Sequence, residues 1–283
     1  MTDNPASIDR RSALQAFGSL TLAALAGCTS TQTSEPSSSS TTTPVGPFAS
    51  LNVQGTTLVV ELESSADIEH VNLVKPNGSL FGTRDVAQGT SRVSFDLGTT
   101  YTPGDYELVA VNDDQTIGTT TRSLRPDLQI IEMGIGRKNP KRMWNGTERE
   151  IADEAYVVVE NRGSGPVSVT QLLFLGMAPY PSGEDGTGYA DDSDVSGIYD
   201  PQSDSEASKV TFGPRDQKTL YSSRSPFAFV PGSGTTCTES VQQGTFTLSL
   251  EAAPDASSVS KTYDIRYSAA EKFNNCTLMV RRQ

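Results

Sequence analysis

Apolar and polar positions divide the chain into three stretches of different texture. From Ala13 to Gly27 runs a mildly apolar segment of 15 residues. That is too short to cross a hydrocarbon layer of ~30 Å, which needs about 20 helical residues. From Thr29 to Thr43, 12 of 15 residues are Ser or Thr and none is aliphatic or aromatic. Such a tract cannot bury enough surface to offset its ordering entropy, so the pattern predicts a disordered tether. From Pro47 onward, short runs of Val, Ile, Leu and Tyr alternate with polar residues between Gly, Pro, Asn and Asp clusters. Period two bounded by turn residues predicts strands, and predicts them almost throughout.

In the first part of this region the predicted strands are Leu51 to Val53, Thr57 to Leu62, Ile68 to Val74 and Ser91 to Leu97. Asn77-Gly78 supplies the signal for a tight hairpin between two of them. After Thr102-Pro103-Gly104-Asp105, Tyr106, Leu108 and Ala110 alternate with Glu107, Val109 and Val111 before the turn Asn112-Asp113-Asp114-Gln115. Beyond Pro126, a Val-rich run at Tyr156 to Val159, an Asn161-Arg162-Gly163 turn and the run at Val167 to Val169 predict a hairpin. Further strands are predicted at Lys209 to Phe212, Lys218 to Tyr221, Thr245 to Glu251, Lys261 to Tyr267 and Thr277 to Val280.

The Pro-Gly-x-Tyr entry at Pro103 to Tyr106 resembles the penultimate strand of immunoglobulin-like and fibronectin-like domains. The stretch from Glu154 to Val169 resembles adhesion-related immunoglobulin-like repeats of bacterial and archaeal surface proteins. These resemblances imply an all-β fold of two immunoglobulin-like β-sandwiches, at residues 47–125 and 126–283. They imply nothing about chemistry, because such sandwiches carry many unrelated sites.

At the N-terminus, Arg10-Arg11 precede the short apolar run and resemble a twin-arginine export signal. The run closes on Leu25-Ala26-Gly27-Cys28, which is similar to the bacterial and archaeal lipobox. Small residues at Ala26 and Gly27 would admit a peptidase, and the Cys28 thiol would supply the nucleophile for a thioether-linked lipid. The expected layout is therefore a signal peptide at 1–27 and a Ser/Thr-rich tether at 28–46, with the membrane reached through the lipid on Cys28. As a flexible coil the tether would span roughly 20–25 Å.

Charge narrows the partners. The chain carries 34 acidic against 22 basic residues, a net charge of −12, which argues against nucleic acid because phosphate binding needs a basic surface. Arg outnumbers Lys 15 to 7, and the acid surplus with few Lys resembles the proteins of salt-loving archaea. With Cys28 committed to lipid, Cys237 and Cys276 are the two remaining thiols, and an even pair in an oxidising compartment predicts a disulfide.

Catalysis has little to stand on. His70 is the single imidazole and shares a predicted strand face with Ile68, Asn72 and Val74, which favours a structural or surface role. No phosphate loop, nucleophile elbow or Cys-x-x-Cys pair occurs, so no enzyme and no cofactor are expected. Asn77, Asn145 and Asn275 head three N-glycosylation sequons, and Trp144 is expected to anchor its loop. The longest stretch without a strand pattern, residues 179–208, holds eight acids and no Lys or Arg. Three readings of it stay open: a solvated acidic loop suited to high salt, a partner contact through Tyr180, Tyr189 and Tyr199, or oxygen ligands for Ca²⁺ at Asp191, Asp192 and Asp194. The last lacks the Gly and closing Glu of the helix–loop–helix calcium site.

These expectations describe a lipid-anchored protein on the outer face of the cell membrane, acting as a binding or structural module on an envelope protein or glycan. The alternative is an accessory lipoprotein subunit of a membrane transporter or respiratory complex.

Overall fold

The computed structural model describes residues 46–230, 237–254, 258–270 and 273–283, apart from the side chains of 270 and 273–275. Arg10, Arg11, the Leu25-Ala26-Gly27-Cys28 motif and nearly all of the tether lie outside the described residues. No helix among those described is long and apolar enough to cross a membrane.

The first seven strands are β1 (Phe48–Gln54), β2 (Thr57–Leu62), β3 (His70–Val74), β4 (Leu80–Asp85), β5 (Arg92–Asp96), β6 (Gly104–Asn112) and β7 (Gln115–Leu124). They form two sheets, β1-β2-β5 and β4-β3-β6-β7, with every pairing antiparallel. Alternation decides which residues meet between them. Leu58, Val60 and Phe95 from one sheet and Val71, Leu73, Tyr106, Leu108 and Ala110 from the other are buried in one core. The Tyr106 hydroxyl donates to the Thr102 carbonyl at 3.0 Å, the corner bond that fixes the entry to such a strand. At the β6–β7 turn, Asp113 and Asp114 take φ of 48° and 60°, the paired left-handed geometry that a two-residue hairpin needs. The Asn77-Gly78 turn differs from expectation. Only Gly78 takes a positive φ there, while the Asn77 side chain accepts from the Ser79 amide and hydroxyl and leaves a longer connection.

Beyond Leu124 come β8 (Leu128–Ile135), β9 (Ala155–Asn161), β10 (Val167–Gly176), β11 (Ile198–Asp200), β12 (Ser205–Glu206), β13 (Val210–Phe212), β14 (Gln217–Ser222), β15 (Gln242–Ala253), β16 (Val259–Ala270) and β17 (Phe273–Arg282). One sheet runs β12-β11-β14-β9-β8 and the other β13-β10-β15-β16-β17. Val157, Val159, Leu172, Phe174, Phe246, Leu248 and Tyr263 meet between them in a second core. Both sandwiches are all-β, as the patterning and the resemblance implied.

The hairpin expected between β9 and β10 does not form. The two strands belong to different sheets, so residues 161–166 make an arch that crosses the sandwich. The fully buried Asn161 side chain takes over the work of a ladder. It accepts from the Asp127 and Gly163 amides and donates to the Gly165 and Gly213 carbonyls. The same arch meets the first sandwich: the Tyr101 hydroxyl donates to the Pro166 carbonyl at 3.0 Å, Ser168 bonds Thr99 at 3.1 Å, and Ser164 exchanges bonds with Arg125.

Candidate functional site

Cys237 and Cys276 are joined in a disulfide, with Cα atoms 6.0 Å apart. It ties the segment before β15 to the edge strand β17. Arg137 reinforces the same end of the sandwich by donating to the Cys276 and Phe227 carbonyls and pairing with Asp153.

Residues 179–208 are not the solvated loop that their composition suggested. β13 pairs with β10 only from Val167 to Val169, which leaves the next part of the β10 edge without a strand partner. Residues from the acidic segment fill that gap. Leu172 donates to Ser196 at 2.7 Å, Ser182 donates to Phe174 at 2.8 Å, the Phe174 amide returns a bond to the Ser182 hydroxyl, and the Tyr189 hydroxyl donates to the Leu172 carbonyl at 2.6 Å. Unpaired edge groups are costly when buried and sticky when exposed, and the segment removes both problems. Its acids are used in part to hold its own turns. Glu206 accepts from the Ser196 and Gly197 amides and from Ser223.

This packing separates the three tyrosines. Tyr189 is only 6% exposed, and burial pushes its phenol up to about 12, so it is removed from any contact surface. Tyr180 lies part-buried where its amide meets the Pro226 carbonyl. Tyr199, on β11, reaches a different set of residues. Asp191, Asp192 and Asp194 are exposed, and the Asp192 carboxylate accepts the Asp194 amide. Among the described residues no three His, Cys, Asp or Glu side chains come together as a metal site.

Tyr199 packs against Trp144 with ring centroids 4.6 Å apart. Trp144 belongs to the connection between β8 and β9, which contains the short helix α1 (Glu148–Ile151). The helix starts on a reciprocal cap between Thr147 and Glu150. From there Met143, Ile151, Tyr156 and Val158 form a small buried cluster on the outer face of the sheet, with Trp144 and Tyr221 at its margin. The indole N–H donates to the Glu154 carboxylate at 2.8 Å. Burial raises that carboxyl to about 7 against the opposing effect of the indole bond, and the nearby Glu150 adds to the rise. The Tyr199 phenol rises to about 12, chiefly through its bond to Asp204. On the far side of Tyr156, Glu132 accepts from its hydroxyl and from Arg142. The result is a part-exposed aromatic ledge rimmed by Glu150, Glu154 and Asp204, suited to contact with a neutral or cationic surface.

Of the sequon residues, Asn145 is exposed beside Trp144 and Asn77 is exposed at its turn; the Asn275 side chain lies outside those described. His70 is part-buried on the face of β3 away from the core, together with Asn72 and Val74, whereas Ile68 precedes the strand and is buried. Sequence patterning missed Glu154, because a Glu in an Asp-Glu-Ala run carries no local sign that an indole will cover it.

No family model matches the chain, and no curated protein matches it. Among solved structures it is similar to a β-glucuronidase of glycoside hydrolase family 2, at 19% identity and a TM-score of 0.25 over 80% of this chain. The chain spans 20% of that enzyme's length. It is also similar to a two-domain fibronectin type-III segment of chicken tenascin, at 12% identity and a TM-score of 0.26, covering 83% of this chain and 99% of that one. The human OSCAR ligand-binding domain is matched at 13% identity and a TM-score of 0.21, over 74% of this chain and 92% of that one.

Proposed function

We propose that this chain is a lipid-anchored surface protein whose two sandwiches act as a non-enzymatic binding or structural module of the cell envelope. The observation that carries the reading is the Leu25-Ala26-Gly27-Cys28 motif, set between a short apolar run and a Ser/Thr tract. The disulfide supports it, since such bonds persist in oxidising compartments. Arg10 and Arg11 direct export of the folded chain, and the lipid on Cys28 holds it at the outer face of the membrane. The acid surplus keeps the surface hydrated in concentrated salt, and Asn77 and Asn145 are exposed glycan acceptors. Partner contact falls on the Trp144–Tyr199 ledge, where rigid aromatic area is offered at small entropic cost.

The test is to replace Cys28 by Ser in the producing cells and follow detergent partitioning. The variant is expected to leave the detergent phase and either stay unprocessed or enter the medium. Partitioning like that of the unaltered protein would reject the anchor. Replacing Arg10 and Arg11 by Lys is expected to block export, whereas normal display would indicate the general secretory route.

A further inference from the structure

The open side of the second sandwich, between edge strand β8 and strands β16–β17, holds a cleft of about 270 Å³. Two cross-strand contacts bracket it. At one end Lys261 donates to the Ile130 carbonyl, and at the other Arg137 donates to the Cys276 carbonyl at 3.3 Å. A bulge in β8 between Ile130 and Glu132 further spoils this edge as a template for an added strand. The space therefore suits a compact ligand rather than an extended peptide.

The lining is unusual for so acidic a chain. Lys138, Asn139, Tyr263 and Arg282 all line the cleft, and among the described residues none of their side chains has a hydrogen-bond or ion-pair partner. Tyr263 is 5% exposed, with its ring stacked on Phe246, and it lines the cleft with a hydroxyl that is not sequestered in the core. The one carboxylate in the lining, Glu132, is already engaged by Tyr156 and Arg142. Cations also crowd one another here. Lys138 is held below its ordinary range by burial and by Arg137, and Lys261 by burial, Arg282 and Arg162. Ile131, Met133 and Val280 add apolar surface to the same lining.

We propose that this cleft binds a compact carboxylate-bearing ligand, with the carboxylate held by Lys138 and Arg282, the Tyr263 hydroxyl and Asn139 amide bonding its polar atoms, and its apolar flank on Ile131, Met133 and Val280. An acidic sugar unit and an acidic amino-acid unit share this chemistry. The inference does not depend on the lipid anchor.

Calorimetric titration of the full chain at low ionic strength, where charge–charge attraction is least screened, distinguishes them. The probes are sodium glucuronate and glutamate blocked at both ends, with glucose as the neutral control and sodium sulfate as the inorganic one. At least one carboxylate should bind saturably, and the tighter of the two identifies the source. Lys138→Gln with Arg282→Gln should weaken that binding roughly tenfold or more, as expected when charge-assisted bonds are removed. Tyr263→Phe, which keeps the core packing, should weaken it several-fold. The proposal is overturned if neither carboxylate saturates, if glucose or sulfate binds as tightly, or if the double variant binds as the unaltered chain does.

Discussion

The two sandwiches follow the same rule for their cores and opposite rules for their connections. In the first, the connections are short, whether they join neighbouring strands of one sheet, as Asp113-Asp114 does, or cross between sheets, and little else is added. In the second, long irregular segments fold back onto the strands. Residues 182–196 complete an unpaired edge of β10, and residues 143–154 build the aromatic ledge on the outer face of β9. The comparison teaches that a polar segment without strand periodicity need not be solvated. Where a neighbouring strand ends early, the backbone of such a segment is the available partner for the exposed edge, and its side chains can be as buried as any core residue.

The largest expected effect sharpens this contrast by acting on one sandwich alone. Replacing Cys237 and Cys276 by Ser opens a loop spanning 39 residues in sequence, which the chain-entropy model values at about 4 kcal/mol. In denaturant titrations followed by hydrogen exchange, the amides of β15–β17 should lose protection while those of β2, β3 and β6 keep theirs. Equal loss in both would show that the joint at Asn161 couples the sandwiches into one cooperative unit.

Next in size is a matched pair of hydroxyl deletions. Tyr189→Phe strands the buried Leu172 carbonyl at the edge of β10 and should cost about 2 kcal/mol. Tyr106→Phe removes the corner bond in the first sandwich, whose acceptor is less buried, and should cost about 1 kcal/mol. Equilibrium unfolding of the two variants checks the ranking; a neutral Tyr189→Phe would mean that the acidic segment does not protect the edge.

The smallest effect is a pH dependence. Folded Glu154 keeps its proton to about pH 7, whereas its ordinary value is 4.5. Between those values the folded state binds more protons than the unfolded one, so stability falls as pH rises through the window. Glu154→Gln retains an acceptor for the Trp144 indole and should gain about 1 kcal/mol at pH 8 after allowance for partial solvent screening, and little at pH 5. Melting curves at the two pH values measure it, and an equal gain at both would remove the buried carboxylate as the cause.

What could be read beforehand follows from which residues have a buried side. Strands with inward alternation, such as β2, β5 and β6, announce themselves through Leu58, Val60, Phe95, Tyr106 and Leu108. β4 and β7 do not, because Leu80 is 56% exposed and β7 is filled with Thr and Gly on the edge of its sheet. The β9–β10 arch is not legible in the sequence, because local turn chemistry at Asn161-Arg162-Gly163 is the same for a hairpin and a crossing; only the distant Gly213 and Asp127 partners of Asn161 distinguish them. The disulfide was legible from cysteine arithmetic. The Trp144–Glu154 bond and the donors around Tyr263 were not, because each depends on residues that meet only after the sheets have packed.

The identity of the mature N-terminus decides most, and intact mass spectrometry of the protein extracted from its own membranes tests it directly. The expected chain begins at Cys28, carries the mass of a covalent lipid, and gains two hydrogens on reduction of the Cys237–Cys276 bond. A chain that begins at Met1, or at any residue other than Cys28 without added lipid, would contradict the lipid anchor.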